Sequence, residues 1–153
     1  MSRPRNVGQA RIDGLEAGLH HRLGGGLGVW ASATWTDTRL ADGDRLTGVS
    51  NLAWSINPYV ERGPFALNLS WSWRSAFRSE ADLQGGGVSA FIVGAAGYLD
   101  AQATYQINAR ARLFIAATNL TDTRDLAYER TPARLLQIGS AGRQVSLGMA
   151  LTW

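Results

Sequence analysis

The chain has no cysteine and no lysine, only four prolines, and only 18% charged residues. Without cysteine, disulfide frameworks, thiol redox chemistry and cysteine-ligated zinc sites are excluded. No run of about 18–20 apolar residues occurs, so the sequence predicts no transmembrane helix. The first residues carry two arginines with no apolar run behind them, so we expect no secretory signal peptide in this stretch.

Glycine and tryptophan are abundant instead, with 18 and 6 residues among 153. This length is typical of one domain. The 15 arginines exceed the 12 acidic residues by only three, and no short window holds more than two, as in Arg3 with Arg5 or Arg110 with Arg112. A basic stripe for nucleic acid is therefore not expected. Low charge with much glycine and tryptophan favours a β protein whose apolar face contacts something other than water.

Apolar residues recur with a period of two through most of the chain, which predicts β-strands. We expect an all-β fold, an antiparallel meander of about seven transmembrane strands of roughly ten residues each. They cover residues 15–23, 27–36, 48–59, 65–74, 98–107, 110–120 and 144–153. Short turns (24–26, 61–64 and 108–109) alternate with long segments (37–47, 76–97 and 121–142), which we predict as loops. This asymmetry is typical of an outer-membrane β-barrel.

One side of these strands is apolar, and the other carries glycine, serine, threonine, asparagine and glutamine with few charges. A soluble sheet would expose many charged residues, so we predict that the apolar side contacts lipid and the polar side a lumen. The residues predicted to face lipid are Leu67, Leu69, Trp71, Trp73, Leu147, Met149, Leu151 and Trp153. Aromatic residues near both strand ends, Trp35 among them, fit two interfacial girdles. The alternation places His21 towards lipid. Tyr59 is out of phase with the apolar side, so either a bulge intervenes or Tyr59 faces the lumen. The faces of residues 110–120 stay open.

Four motifs, in the expected order, resemble the C-terminal barrel portion of TonB-dependent outer-membrane receptors. The segment NVGQARIDGLE at residues 6–16 resembles a family strand of the form N-x-G-x-A-x-I-x-G-hydrophobic-E. NLTD at residues 119–122 resembles the N-L-[TF]-D element that closes the next-to-last strand, and GR at residues 142–143 resembles the start of the final strand. Trp153 stands where the family usually has a terminal phenylalanine. The motif residues are Gly14, Glu16, Asn119, Leu120, Asp122, Gly142 and Arg143.

The resemblance implies a barrel of about 22 strands, of which residues 1–153 would be the C-terminal part. It also implies a plug domain and a signal peptide, which we expect to be absent from this sequence. The implied function is energised uptake of a scarce, bulky nutrient across the outer membrane of a Gram-negative bacterium, as part of a longer exported chain. A ferric siderophore is the first candidate, with cobalamin or a saccharide as alternatives.

The same resemblance implies several partners. They are outer-membrane lipid and lipopolysaccharide, the remainder of the barrel and the plug, TonB through the missing N-terminal region, and the barrel-assembly machinery through the last strand. We expect no enzyme activity, no cofactor, and no catalytic or metal-binding residue. A passive porin-type barrel fragment and a soluble β-sandwich binding module are the alternative interpretations.

Arginines in the long segments are the candidates for ligand binding: Arg78, Arg130 and Arg134, with Arg124 nearby in sequence. They could contact an anionic ligand or lipopolysaccharide phosphates. Ordinary solvated loop charge, partly neutralised by neighbouring acidic residues, is the simpler interpretation.

Two apparent signals for other chemistry fail. Residues 26–31 fit a G-x-G-x-x-A pattern, but a strand follows them and the helix N-terminus that binds phosphate is missing. His20 and His21 are adjacent, and adjacent strand residues point to opposite faces, so both cannot bind one metal ion.

Overall fold

The computed structural model describes residues 9–81 and 89–153, and their regular structure is entirely β. Arg3, Arg5 and residues 6–8 of the first motif lie outside the described residues. Within the described part, no helix has the length and apolarity needed to cross a bilayer. The strands are β1 (Ala10–Gly24), β2 (Leu27–Leu40), β3 (Leu52–Arg62), β4 (Phe65–Arg74), β5 (Phe77–Ala81), β6 (Ser89–Val93), β7 (Ala96–Asn108), β8 (Ala111–Thr118), β9 (Asp125–Tyr128), β10 (Leu135–Gly139) and β11 (Gln144–Leu151).

Seven of these strands form one antiparallel sheet, called the main sheet, in the order β1-β2-β3-β4-β7-β8-β11. The predicted meander of seven strands is therefore confirmed. Its short turns lie between strands that are neighbours in sequence, and glycine permits the tightest of them. Gly24, Gly25 and Gly26 all have positive φ, at 90°, 62° and 84°. A side chain at Gly26 would also collide with the carbonyl of Glu61, whose N–H donates to the Gly26 carbonyl at 2.8 Å.

Four shorter strands form a second sheet, in the order β10-β9-β6-β5. The prediction of loops at 76–97 and 121–142 was wrong in this respect, because each segment contains two strands. The hairpin β5–β6 continues β4 and β7, and β9 and β10 continue β8 and β11. A strand of four or five residues has too few apolar positions on one face for its period to stand out. The prediction of a loop from residue 37 was also wrong at its start, since β2 runs on to Leu40 and Trp35 is not at its end.

The register of the main sheet gathers one parity of each strand on one face. This apolar face consists of the odd-numbered residues of β1, β2, β4, β7, β8 and β11 and the even-numbered residues of β3. Cross-strand pairs such as Leu69 with Ala101 and Leu147 with Ile115 lie on it. The opposite side is called the polar face. Because β3 pairs with β4 without a shift, Tyr59 lies on the polar face opposite Asn68 and no bulge intervenes.

The faces of β8, which the sequence left open, follow from the same register. Leu113, Ile115 and Ala117 lie on the apolar face, and Arg112 and Phe114 lie on the polar face.

Conventional core packing is sparse in the described part of the chain. The buried apolar residues are Phe91, Ala96 and Ala127, which lie in the second sheet or where the two sheets meet. On the apolar face, Leu147 is 76% exposed and Trp71 is 52% exposed. A soluble β-sandwich buries these inward-facing side chains against a second sheet. The main sheet therefore presents a broad apolar surface that no other part of the described chain covers.

Candidate functional site

A network of hydrogen bonds around Asn119 joins the ends of three strands of the main sheet. Its amide nitrogen donates to the carbonyls of Thr123 (3.0 Å) and Gly142 (3.3 Å), and its amide oxygen accepts from the Thr123 N–H (2.8 Å). The Asn119 N–H donates to the Asp100 carboxylate at 2.8 Å. Asn119 has φ 53° and is buried, a backbone region where asparagine is enriched. These hydrogen bonds connect the end of β8 to β7 and to the segment before β11.

Of the other motif residues, four lie next to Asn119 or on the segment before β11, and two lie on β1. Asp122 also has positive φ and donates its N–H to the Asn119 carbonyl at 2.9 Å, while Leu120 donates its N–H to the Leu99 carbonyl. Gly142 has φ 67°, and Arg143 next to it is exposed. Gly14 and Glu16 lie on the polar face of β1, where they pair with Thr36 and Thr34 of β2.

A second polar contact joins the main sheet to the second sheet through Arg74, at the end of β4. Its guanidinium donates to the Gly94 carbonyl at 2.8 Å and to the Asp125 carboxylate at 2.9 Å. It also lies 4.9 Å from the centre of the Phe77 ring. A partly buried arginine with a carboxylate, a carbonyl and an aromatic partner is well fixed, so it holds β9 against the top of β4.

Aromatic residues cluster on the polar face towards the short turns. The rings of His20 and Trp30 stack at 3.7 Å, and His20 Nε2 and the Tyr59 hydroxyl form a hydrogen bond of 3.1 Å. The Tyr59 ring lies directly over Gly28, where a Cβ would come within 2.3 Å of it. His20 is thus engaged with aromatic residues of two neighbouring strands. His21, on the next position, points to the apolar face as its parity predicted.

The second sheet brings two of the candidate arginines together. Arg78 and Arg130 line an open pocket of about 470 Å³ with Ile92 and Glu129. Arg134 does not line this pocket, but it forms an ion pair of 3.1 Å with Glu129.

Arg78 and Arg130 differ in how they are held. Arg78 forms an ion pair of 2.9 Å with Asp44, and its carbonyl accepts from the Gly48 N–H. These contacts hold residues 41–51 against β5. Arg130 is exposed and has φ 52°. The pocket therefore combines guanidinium donors with an apolar wall, an arrangement suited to a ligand that is both anionic and partly apolar.

The residues predicted to face lipid share the apolar face, apart from Trp153, which follows the end of β11. Trp54, which the prediction did not single out, completes a tryptophan cluster there. Its ring lies 5.5 Å from that of Trp71 and 6.2 Å from that of Trp73. Neighbouring indoles near the ends of two strands on an apolar surface are typical of a membrane interface.

Comparison with known proteins agrees with this geometry. The family described as "TonB dependent receptor-like, beta-barrel" matches residues 2–120, which is most of the chain. The chain belongs to this TonB-dependent receptor family. The family is one of transporters rather than enzymes, located in the outer membrane of Gram-negative bacteria. No curated protein matches the chain.

Two solved structures have the same fold as this chain. The structure of the FpvAI–pyocin S2 complex superposes with a TM-score of 0.73 at 16% identity, covering 93% of this chain and 19% of the other. P. aeruginosa FpvA bound to heterologous pyoverdines superposes with a TM-score of 0.73 at 15% identity, again over 93% of this chain and 19% of the other. The chain thus spans about a fifth of the length of the chains that it matches, 19% in each case.

The sequence motifs identified residues that connect strands, but they did not identify a ligand site. The Asn119 network coincides with the NLTD motif, whereas Arg74 and Asp125 were not paired by any sequence signal because 51 positions separate them. Asp125 comes next to Arg74 because β9 pairs with β6 and because the Gly94 N–H donates to the Leu126 carbonyl. Arg74 is the one charged residue of β4, at the end of its polar face, and that isolation within the strand was the available clue.

Proposed function

We propose that the chain is the C-terminal part of the barrel of a TonB-dependent receptor that takes up a ferric siderophore. In this proposal the apolar face contacts membrane lipid and the polar face lines the lumen. The observation that carries it is the exposed apolar face of a seven-stranded meander in a chain of this family. In a closed barrel all main-chain groups are paired, which is why such a sheet tolerates hydrocarbon.

The long segments connect the strands at one end of the main sheet. In the proposal this end lies at the outer surface of the cell. The pocket lined by Arg78 and Arg130 then faces incoming ligand. Ferric siderophores that carry net negative charge and apolar groups match its chemistry. Binding of pyoverdines by the structurally similar FpvA supports this ligand class.

The proposal also assigns the partners. The open edges of β1 and β11 pair with the remainder of the barrel, and the polar face contacts a plug domain. TonB acts through an N-terminal region outside this chain, the assembly machinery reads the last strand, and lipopolysaccharide surrounds the outer rim. Unpaired edges of such length favour further strand pairing.

Ferric pyoverdine is the probe that tests the pocket, with the full-length receptor expressed in the outer membrane. We expect the Arg78→Gln and Arg130→Gln double variant to bind it about a hundredfold more weakly, about tenfold for each charge-assisted hydrogen bond removed. Arg110→Gln, at a short turn on the opposite side, is the matched control and should bind as the unsubstituted receptor does. Equal affinity of the double variant would reject the pocket, and no binding by the unsubstituted receptor would reject this ligand.

A further inference from the structure

Charged residues form a ladder at one end of the apolar face. Above the pair Leu15 and Trp35, the next pair on this face of β1 and β2 is Asp13 with Asp37. The pair above that is Arg11 with Arg39. The order along the face is therefore apolar, acidic and then basic, over about 13 Å of strand.

The aspartates hold the arginines close to the apolar band. Arg11 makes two hydrogen bonds to Asp13, of 2.7 and 3.2 Å, and Arg39 Nε lies 3.2 Å from an Asp37 oxygen. Arg45, from the segment after β2, approaches Asp37 at 3.6 Å. Three guanidiniums thus surround two carboxylates, which leaves a net positive charge.

The guanidiniums also remain accessible. The side chains of Arg11, Arg39 and Arg45 are 77%, 73% and 58% exposed, whereas that of Asp37 is only 16% exposed. A guanidinium has five N–H donors, so bonds to one carboxylate leave others for a second anion. The chemistry that suits exposed, preoriented guanidiniums is a phosphate group.

A groove lies on the same face, further down the same two strands. It has a volume of about 330 Å³, and Ala17, Ala31 and Ala33 line it. Leu19, Trp54 and Ile56 complete its apolar lining. A shallow, open depression lined by methyl groups and larger apolar side chains offers van der Waals contacts to an extended hydrocarbon chain.

We propose that β1 and β2 bind one lipid with a phosphate-bearing headgroup, whose phosphate contacts Arg11 and Arg39 and whose acyl chain lies in the alanine groove. This inference rests on the proposed function, since it requires the apolar face to contact the membrane. The ladder and the groove lie on one line along the strands, as the headgroup and chain of a single lipid do. Asp13 and Asp37 are positioning residues, because they orient the guanidiniums rather than contact the lipid.

Native mass spectrometry of the purified full-length receptor tests this site, with diphosphorylated lipid A as the probe and monogalactosyl diacylglycerol as the uncharged comparison. We expect the Arg11→Gln and Arg39→Gln double variant to bind lipid A about tenfold more weakly, with little change for the galactolipid. Arg62→Gln is the matched control, because Arg62 lies on the same face at the opposite end of the band. Equal lipid A binding by the double variant, or an equal loss in Arg62→Gln, would overturn the proposal.

A second variant tests the groove without changing any charge. Ala31→Phe fills the groove, so we expect it to weaken lipid A binding severalfold while ferric pyoverdine binding and recovery from the outer membrane stay unchanged. Unchanged lipid A binding would remove the groove from the site. Recovery of the unsubstituted receptor outside the outer membrane would instead overturn the proposed function, so the two failures are distinguishable.

Discussion

Asn119 explains the NLTD motif in physical terms, because its side chain connects the end of β8 to neighbouring segments. Its side chain satisfies two carbonyls and one N–H that the end of β8 would otherwise leave without partners, and it does so while buried. An unsatisfied buried polar group costs about 1–3 kcal/mol. The NLTD motif is therefore explained by stability rather than by ligand contact.

Replacing Asn119 with alanine removes all three side-chain hydrogen bonds and places alanine at φ 53°. We expect the free energy of unfolding of the full-length receptor to fall by about 2–4 kcal/mol. Urea unfolding in liposomes, followed by tryptophan fluorescence, measures this change. Asn68→Ala, in the middle of β4 on the polar face, is the control and should cost less than about 1 kcal/mol. Equal costs would show that the network contributes nothing specific.

The sequence predicted that residues 119–122 matter, but not what they contact. Asp100 and Gly142 lie 19 and 23 positions away, and no local pattern links them to Asn119. The same holds for Arg78 and Arg130, which were candidates singly and are neighbours only because β6 pairs with both β5 and β9. Long-range pairing therefore limits prediction at this scale.

At the scale of strands, prediction succeeded where the period was long enough. The seven strands of the main sheet have 8–15 residues, and in all of them except β8 the two-residue period was evident in sequence. The strands of the second sheet have 4–5 residues and were predicted as loops. The register then decides the face of Tyr59. The sequence left open a bulge or a position on the lumenal side, and the unshifted pairing of β3 with β4 places Tyr59 on the polar face.

The packing of β2 against β3 depends on the absence of a side chain at Gly28, because the Tyr59 ring occupies that space. A methyl group at Gly28 would displace this ring and break its hydrogen bond to His20, so we expect Gly28→Ala to cost about 1–3 kcal/mol. The same urea unfolding experiment measures it. Gly18→Ala is a matched control on the same face, because its methyl group would have no neighbour nearer than 4.0 Å. A Gly28→Ala variant as stable as Gly18→Ala would contradict the packing role.

At the scale of the whole molecule, the main sheet has two faces of opposite character, and within residues 9–81 and 89–153 no second layer covers its apolar side. Exposed leucines and tryptophans on a broad surface favour aggregation in water. The same surface is stable against hydrocarbon once the barrel is closed. The two-residue alternation predicted this division of faces, and the few charges on the polar face favoured a lumen over bulk water as its surroundings.

The absence of cysteine makes the central claim directly measurable, because single cysteines can be introduced and spin-labelled without background. The measurement is a scan of residues 65–74 of β4 in the assembled full-length receptor in lipid bilayers, with accessibility to oxygen and to a water-soluble nickel complex read by electron paramagnetic resonance. We predict alternation with a period of two, in which labels at 67, 69, 71 and 73 are accessible to oxygen and labels at 66, 68, 70 and 72 are not. Labels at the odd positions that neither reagent reaches would mean a dry interior, and would contradict the account.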